Sequence, residues 1–467
     1  MSKKKPQNLG ELRASGWQPI PVKHEMRKNL IARIEANQEH FPGILGYEDT
    51  VIPYLENAIL SGQDVIFLGE RGQAKSRLIR SLVNLLDDEI PAIAGCEIND
   101  NPYDPICASC RERLATQGDS VQIEWLDRDR RYGEKLATPD ITIADLIGEV
   151  DPIKVAEGRY LADEMTIHYG LIPRHHRGIF CINELPDLAE RIQVGLLNIM
   201  EERDVQIRGY RIRLPLDVIV VASANPEDYT NRGRIITPLK DRYGAQIRTH
   251  YPRSPESEIA IVEQERTIFG GDDERTVTVP QYMKEIVVEI TRLARRSPDI
   301  NQRSGVSVRA SIADYEALLA NAMRRAIRLK EGEVVPRVSD LPFVLPSLTG
   351  KIEFETVDDG REEQIVERLI QGAVLAVFNH YFSLGELEPI VARFKAGYAV
   401  EVSDVTPSNE YVKLLKDTEG LEGAVEKLEP GESQPQLASA VEFILEGLHL
   451  NKRLNKDKVA GRYQYRG

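Results

Sequence analysis

The residues GERGQAKS at 69–76 decide the fold, because they nearly match the phosphate-binding pattern G-x-x-x-x-G-K-[ST]. That pattern is meaningful only when a strand precedes it and a helix follows it. The apolar run DVIFLG leads into it, and SRLIRSLVNLLDD follows with its apolar residues at helical spacing. The sequence therefore predicts a strand, a glycine-rich turn and a helix, arranged to hold phosphate groups.

Ala74 departs from the pattern, because it stands where the second glycine is expected. Glycine is required only at positive φ or where a phosphate nearly touches the backbone. Alanine adds a single methyl group and improves helix propensity over glycine by about 1 kcal/mol at a helix start. In such a loop Lys75 reaches the terminal phosphates and Ser76 binds Mg²⁺. We predict a working loop; the alternative is an ordinary strand–turn–helix with a stray Lys-Ser pair.

The composition limits the class of protein. A chain of 467 residues is too long for one compact core, so we expect two or three domains. The 42% hydrophobic and 29% charged fractions are ordinary for a globular protein. No apolar run is long enough to cross a bilayer, and the N-terminal residues lack the apolar core of a signal peptide. We therefore expect a cytoplasmic protein with no membrane partner, and the net charge of −14 argues against general nucleic-acid binding.

Three cysteines lie close together in the stretch GCEINDNPYDPICASC. Cys107 and Cys110 form a C-x-x-C pair, and Cys96 lies a short way upstream. Disulfides are rare in cytosolic chains, so the pattern suits a structural zinc ion or a redox pair. Zinc needs a fourth ligand, and no further His or Cys is near in sequence. Reduced thiols in a surface insertion are the alternative.

The chain changes character along its length. Residues 1–40 are polar and charged and predict an N-terminal arm. Strands alternate with helical segments over 41–253, which predicts an α/β nucleotide-binding core with a polar insertion at about 97–145. Only helical segments follow at 254–333. Residues 334–467 begin with a proline-rich stretch and predict an extra, mainly helical accessory region.

Four polar residues occur in an order that suits phosphoryl transfer. Glu184 ends the apolar run GIFCIN, where a carboxylate can orient or deprotonate an attacking water. Asn225 ends the next buried run and offers an amide to that water or to the γ-phosphate. Arg242 lies on a later loop as a candidate arginine finger for a neighbouring subunit, and Arg309 begins a helix. Each residue alone is equally compatible with a turn or a surface charge.

Five segments together resemble the Walker A, Walker B, sensor 1, arginine-finger and sensor 2 motifs of AAA+ ATPases. They are GERGQAKS, RGIFCINELPDL, VASANPEDY, PLKDRYG and SGVSVRAS, and they are most like the magnesium-chelatase I-subunit and MoxR-like clade. The resemblance covers about 40–330. It implies a P-loop NTPase core, with helices flanking a five-stranded parallel sheet, and then a helical lid carrying sensor 2. It also implies a homo-oligomeric, hexameric ring with ATP sites between subunits.

The resemblance carries over to individual residues. MoxR-like loops commonly have alanine before the lysine, so Ala74 is similar to a trait of that clade. Asn183 stands where the Walker B motif has aspartate; an amide accepts a hydrogen bond from Mg²⁺-bound water but supplies no negative charge. Mg²⁺ would then bind weakly to Ser76 and, through water, to Asn183. The residues implied to contact ATP are Gly46, Tyr47, Gly69, Glu70, Arg71, Gly72, Gln73, Ala74, Lys75 and Ser76.

The resemblance implies an ATP-hydrolysing ring protein that remodels or activates a partner, usually one with a von Willebrand A domain. A true magnesium-chelatase ATPase subunit is one alternative, although residues 334–467 exceed the usual length of such a subunit. A weakly hydrolysing, nucleotide-gated adaptor is a second alternative, with Asn183 as its brake. A sigma-54-type regulator is a third, although a GAFTGA-type loop is absent from the sequence.

Overall fold

The computed structural model describes residues 5–151, 164–206, 213–225, 233–268, 275–355, 361–403, 405–459 and 462–467. The chain divides into two compact units, Met1–His250 and Tyr251–Gly467. Each unit is described by itself below.

Strands and short helices alternate through the first unit. Its strands are β1 (Val65–Leu68), β2 (Glu89–Ile93), β3 (Ile123–Asp127), β4 (Tyr132–Leu136), β5 (Gly148–Val150), β6 (Ile167–Tyr169), β7 (Gly178–Asn183), β8 (Asp204–Gln206), β9 (Arg213–Pro215), β10 (Val218–Ala224) and β11 (Ala245–Arg248). Its helices are α1 (Leu9–Ala14), α2 (Val22–Glu35), α3 (Val51–Leu60), α4 (Lys75–Ser81), α5 (Ala108–Gln117), α6 (Ile143–Leu146), α7 (Leu171–Arg174), α8 (Glu190–Glu201) and α9 (Thr237–Arg242).

A five-stranded parallel sheet in the order β11-β1-β10-β7-β4 forms the centre of this unit. Alternate residues of the inner strands β1, β7 and β10 enter different apolar clusters. Val65 and Phe67 pack with residues of α2 and α3, whereas Ile66 packs with residues of α8. Both faces are therefore covered, which explains why the inner strands have continuous apolar runs. The predicted five-stranded parallel sheet, with helices flanking it, is confirmed.

Two stretches of this unit differ from the sequence-based expectation. Residues 1–40 do not form a separate arm where the structure describes them, because α2 buries Val22, Met26 and Leu30 in the sheet's core. The stretch at 97–145, expected to be an insertion, contains β4, which forms an edge of the main sheet. The sequence of β4, YGEKL, is polar because an edge strand exposes many of its side chains, so it lacked a buried-strand signature.

The second unit is mainly helical. Its helices are α10 (Pro255–Glu265), α11 (Gln281–Ala294), α12 (Val308–Leu329), α13 (Leu345–Thr349), α14 (Arg361–Tyr381), α15 (Glu388–Lys395), α16 (Ser408–Asp417), α17 (Leu421–Glu426) and α18 (Gln434–Leu450). Its strands are β12 (Thr276–Val277), β13 (Glu333–Val334), β14 (Ala399–Val402), β15 (Asn455–Val459) and β16 (Arg462–Arg466).

One apolar core runs through this second unit, from the predicted lid into the accessory region. The rings of Tyr282 on α11 and Phe443 on α18 stack with centroids 4.6 Å apart, and the Tyr282 hydroxyl donates to Ser439 at 2.9 Å. The segments on either side of residue 334 are thus packed together. Within the described ranges, we find no helix with the length and apolar character to cross a bilayer.

Candidate functional site

The predicted motif residues follow three neighbouring strands of the parallel sheet. The glycine-rich loop follows β1, Glu184 follows β7, and Asn225 follows β10. Strand β10 pairs with both β1 and β7, so it lies between them. Because parallel strands end at the same edge of a sheet, the three loops meet there.

A chain of hydrogen bonds joins the three motifs. The Lys75 ammonium donates to Asn225 Oδ1 at 2.6 Å, and Asn225 Nδ2 donates to Glu184 Oε2 at 2.7 Å. Lys75 and Asn225 are buried, so the bond between them is shielded from water, whereas Glu184 is half-buried. Lys75 also donates to the backbone oxygens of Gly69 and Glu70. A cation, an amide and a carboxylate from three segments therefore form one polar network.

Glu184 has an unusual backbone conformation. Its φ is +55°, in the left-handed region that non-glycine residues rarely adopt. Its N–H donates to the Ser223 hydroxyl at 3.2 Å, which ties this turn to strand β10. Strain of this kind costs on the order of 1–3 kcal/mol and tends to occur at functional sites. The turn directs the carboxylate toward Asn225.

Side chains of the first unit hold the glycine-rich loop in place. A Cβ on Gly69 would lie 1.9 Å from Thr249 Oγ1 and 2.3 Å from Gln73 Oε1, so only glycine fits there. Gln73 Oε1 accepts from the Thr249 hydroxyl at 2.8 Å and from the Glu70 N–H at 3.1 Å. The buried Tyr47 hydroxyl lies 2.9 Å from the Gln73 carbonyl oxygen, and burial raises the pKa of Tyr47. The loop is therefore pre-shaped.

Ala74 has a φ of +53° and precedes helix α4 as its N-cap residue. The argument from helix propensity is therefore wrong, because this residue lies outside the helix. A left-handed conformation costs an L-residue about 1–2 kcal/mol, a cost that glycine avoids. The alanine is tolerated sterically, since its side chain is exposed, but it strains the loop.

The candidate Mg²⁺ ligands are uncharged. Asn183 Oδ1 lies 3.3 Å from the Ser223 hydroxyl and 3.4 Å from Cys181 Sγ, both of which donate to it. Ser76 lies in the first turn of α4 with its side chain exposed. Hydroxyl and amide oxygens are of the hard type that Mg²⁺ prefers, and the buried Lys75 ammonium suits a triphosphate. The donor set thus fits Mg²⁺ and ATP, although it lacks the usual carboxylate.

The two predicted arginines lie outside this network. Arg242 ends helix α9, donates to the Pro238 carbonyl oxygen at 2.8 Å and forms an ion pair with Glu201 of α8. Arg309 is exposed in the first turn of α12, in the second unit, and its N–H donates to the Ser307 hydroxyl at 3.0 Å. Their roles at a phosphate stay predictions, as does the placement of Gly46, whose φ is +79°.

Sequence reasoning missed the residues that support the motifs. Ser223 contacts both Asn183 and Glu184, and Thr249 contacts the glycine-rich loop. A signal was present, because Ser223 lies two residues before Asn225 and Thr249 directly follows β11, at the same sheet edge.

The clustered cysteines have a fourth polar neighbour that was also missed. The Sγ atoms of Cys96, Cys107 and Cys110 and a carboxylate oxygen of Asp100 all lie within 4.8 Å of one another. Burial is the main cause that raises the pKa of Asp100 to about 6, and the nearby sulfur of Cys96 raises it further. Only His and Cys were considered as ligands from the sequence, so an aspartate in the intervening loop was passed over.

No family model matches the chain, but comparisons with known proteins find relatives. The magnesium-chelatase subunit ChlI of Nostoc sp. is 28% identical over 361 residues, which cover 72% of this chain and 90% of that protein. The ChlI subunit of Nephroselmis olivacea is 26% identical over 351 residues, covering 71% and 94%. A cryo-EM structure of the complex between subunits BchI and BchD of magnesium chelatase matches with 20% identity and a TM-score of 0.36, covering 70% and 98%.

Proposed function

Since the chain is related to the magnesium-chelatase I subunits and has the fold of AAA+ ATPases, we propose that it binds and hydrolyses ATP in a ring of identical subunits. We further propose that turnover remodels or activates a partner protein with a von Willebrand A domain. The observation that carries the ATPase proposal is the hydrogen-bonded network of Lys75, Asn225 and Glu184. These are the residues that phosphoryl transfer needs for charge neutralisation and water activation.

Each member of the network has a distinct task in this proposal. ATP, when bound, would supply the γ-phosphoryl group, and Mg²⁺ would neutralise part of the negative charge on the phosphates. Lys75 provides a fixed positive charge, and its burial strengthens the attraction between that charge and a phosphate group. Glu184 orients a water molecule and takes its proton at the carboxylate. Asn225 donates to Glu184 and accepts from Lys75, so it fixes the distance between the cation and the base.

The proposal is tested by Glu184→Gln. The amide keeps an acceptor for Asn225 but takes no proton, so we expect phosphate release to fall at least about 100-fold. ATP binding should stay within about twofold of wild type, because Lys75 and the loop are unchanged. Glu35→Gln, an exposed carboxylate at the end of α2, is the matched control and should hydrolyse ATP normally. Undiminished turnover in Glu184→Gln would show that another group is the base.

A nucleotide-gated adaptor that hardly hydrolyses ATP is a second candidate. It is favoured by Asn183, whose amide oxygen is bonded to Ser223 and Cys181 and carries no charge for Mg²⁺. Phosphate release by the wild-type protein, measured with and without its partner, separates the two candidates. Turnover in either condition supports the ATPase, whereas ATP binding without turnover in both conditions supports the adaptor.

A true magnesium-chelatase ATPase subunit is a third candidate, favoured by the names of the relatives. The Glu184→Gln variant in ATP should accumulate the partner-bound state, so the partner can be recovered with it. A partner that carries a metal-dependent adhesion motif supports the activation proposal. Insertion of Mg²⁺ into a porphyrin by the reconstituted proteins would establish the chelatase, and recovery of RNA polymerase would point to a regulator.

A further inference from the structure

We propose that Cys96, Asp100, Cys107 and Cys110 bind a zinc ion, at a site separate from the nucleotide site. Cys96 and Asp100 lie in the loop after β2, Cys107 is the N-cap residue of α5, and Cys110 lies in its first turn. The four side chains come from two segments of the chain and converge on one point. Their ligand atoms all lie within 4.8 Å of one another.

The spacing of these atoms fits one tetrahedral ion. Zinc–sulfur bonds of about 2.3 Å place the sulfurs of a tetrahedral site about 3.8 Å apart. The observed group is compact enough to close around such an ion. An iron–sulfur cubane would hold its cysteine sulfurs farther apart, because the inorganic core stands between them. Three thiolates also favour zinc over Mg²⁺ or Ca²⁺, which prefer oxygen ligands.

Surrounding donors prepare the ligands to carry negative charge. The Asp100 N–H lies 3.4 Å from Cys96 Sγ, the Cys110 N–H lies 3.3 Å from Cys107 Sγ, and Arg113 Nη2 donates to Cys110 Sγ at 2.9 Å. Both carboxylate oxygens of Asp100 accept backbone N–H groups at 3.1 Å. Such outer contacts orient metal ligands and stabilise their ionised forms.

Burial supports a bound cation at this position. Asp100 and Cys110 have no exposed surface and Cys107 is 5% exposed. Burying an ionised carboxylate such as that of Asp100 is unfavourable unless it is neutralised, hydrogen-bonded or coordinates a metal. Cys96 is only half-buried and borders a cavity of about 150 Å³, which provides a route for the ion. Four protein ligands leave no open position, so the site is structural and fastens the loop after β2 to α5.

The first test is the zinc content of the full-length protein after dialysis against metal-free buffer. We expect about one zinc ion per chain in the wild type. Asp100→Asn and Cys107→Ser should reduce it to background, whereas Cys181→Ser, which removes a buried cysteine on β7 outside the cluster, should retain it. Wild-type protein that neither contains zinc nor takes up added zinc would overturn the proposal, as would full zinc content in Cys107→Ser.

A second measurement does not depend on whether the ligand variants fold. X-ray absorption at the zinc edge of the wild type should show three sulfur neighbours and one oxygen neighbour. Arg113→Ala, which leaves all four ligands in place, should weaken zinc affinity about 10- to 100-fold. A shell without sulfur, or a Cys107–Cys110 disulfide in freshly purified protein, would contradict the site. All these measurements are made without nucleotide, so their failure says nothing about ATP binding.

Discussion

Ala74 has a left-handed backbone, with a φ of +53°, at the position just before α4. An L-residue in this conformation is strained by about 1–2 kcal/mol. This strained residue directly precedes Lys75. The position of the Lys75 ammonium depends on the shape of the loop, because it donates to the backbone oxygens of Gly69 and Glu70. Contacts among Gly69, Gln73 and Thr249 hold the loop in this conformation, although Ala74 alone would favour a negative φ.

Ala74→Gly should stabilise the first unit by about 1 kcal/mol, because glycine adopts positive φ without strain. Denaturant unfolding followed by tryptophan fluorescence measures this, since Trp17 and Trp125 both belong to that unit. Ala115→Gly, at an exposed helical position of α5, is the control and should lose about 1 kcal/mol. Equal destabilisation by both variants would contradict the strain at Ala74.

At the level of elements, the sheet shows what the sequence could and could not predict. Strands β1, β7 and β10 were predictable, because each has a buried apolar run that ends at a motif. Strand β4 was not, because its polar sequence reflects the edge position rather than a core. Asp100 was not predicted as a ligand, because its approach to the cysteines depends on how the loop closes. The folding of such a loop is not visible as a periodic pattern of apolar residues in the sequence.

The short connection between α7 and β7 makes the first unit sensitive to acid. His176 is buried there, and its Nδ1 accepts the Asp217 N–H at 3.0 Å. Burial is the main cause that lowers the pKa of His176 to about 3 from its ordinary value of 6.5, and the positive charge of Arg177 contributes to the same shift. The unfolded chain therefore takes up a proton below pH 6.5 that the folded chain does not accept until about pH 3.

The free energy of unfolding should accordingly fall as the pH drops from 6.5 toward 3, with a contribution from His176 on the order of a few kcal/mol. His176→Asn keeps an acceptor for the Asp217 N–H but does not titrate, so its unfolding free energy should fall less steeply over this range. Tryptophan-monitored unfolding at several pH values measures the two slopes. Identical slopes in wild type and His176→Asn would be the contrary result.

At the scale of the whole molecule, the proposed ring requires that one subunit complete the site of its neighbour. Arg242 lies outside the Lys75–Asn225–Glu184 network of its own chain and is paired with Glu201. This placement is compatible with a residue that acts on an adjacent subunit. The second unit has its own apolar core, and Arg309 lies in the first turn of its helix α12.

Arg242→Ala should lower ATP hydrolysis about 10³-fold or more while ATP binding persists. A mixture of Arg242→Ala with Glu184→Gln should recover part of the activity that both variants lack alone. Recovery is expected because some interfaces then combine an intact Glu184 with an Arg242 from the neighbouring chain. Phosphate release at a series of mixing ratios measures this. A mixture as inactive as its components would argue against an arginine supplied between subunits.

The most direct test of the account is a titration of the protein with ATP in the presence of Mg²⁺, for wild type and Lys75→Ala. Lys75 is the buried cation of the network, and its ammonium donates to Asn225 Oδ1 at 2.6 Å. We predict saturable binding to the wild type and a loss of affinity of at least about 100-fold in Lys75→Ala. Wild-type protein that shows no saturable binding, or equal affinity in the two proteins, would contradict the assignment of this network as a nucleotide site.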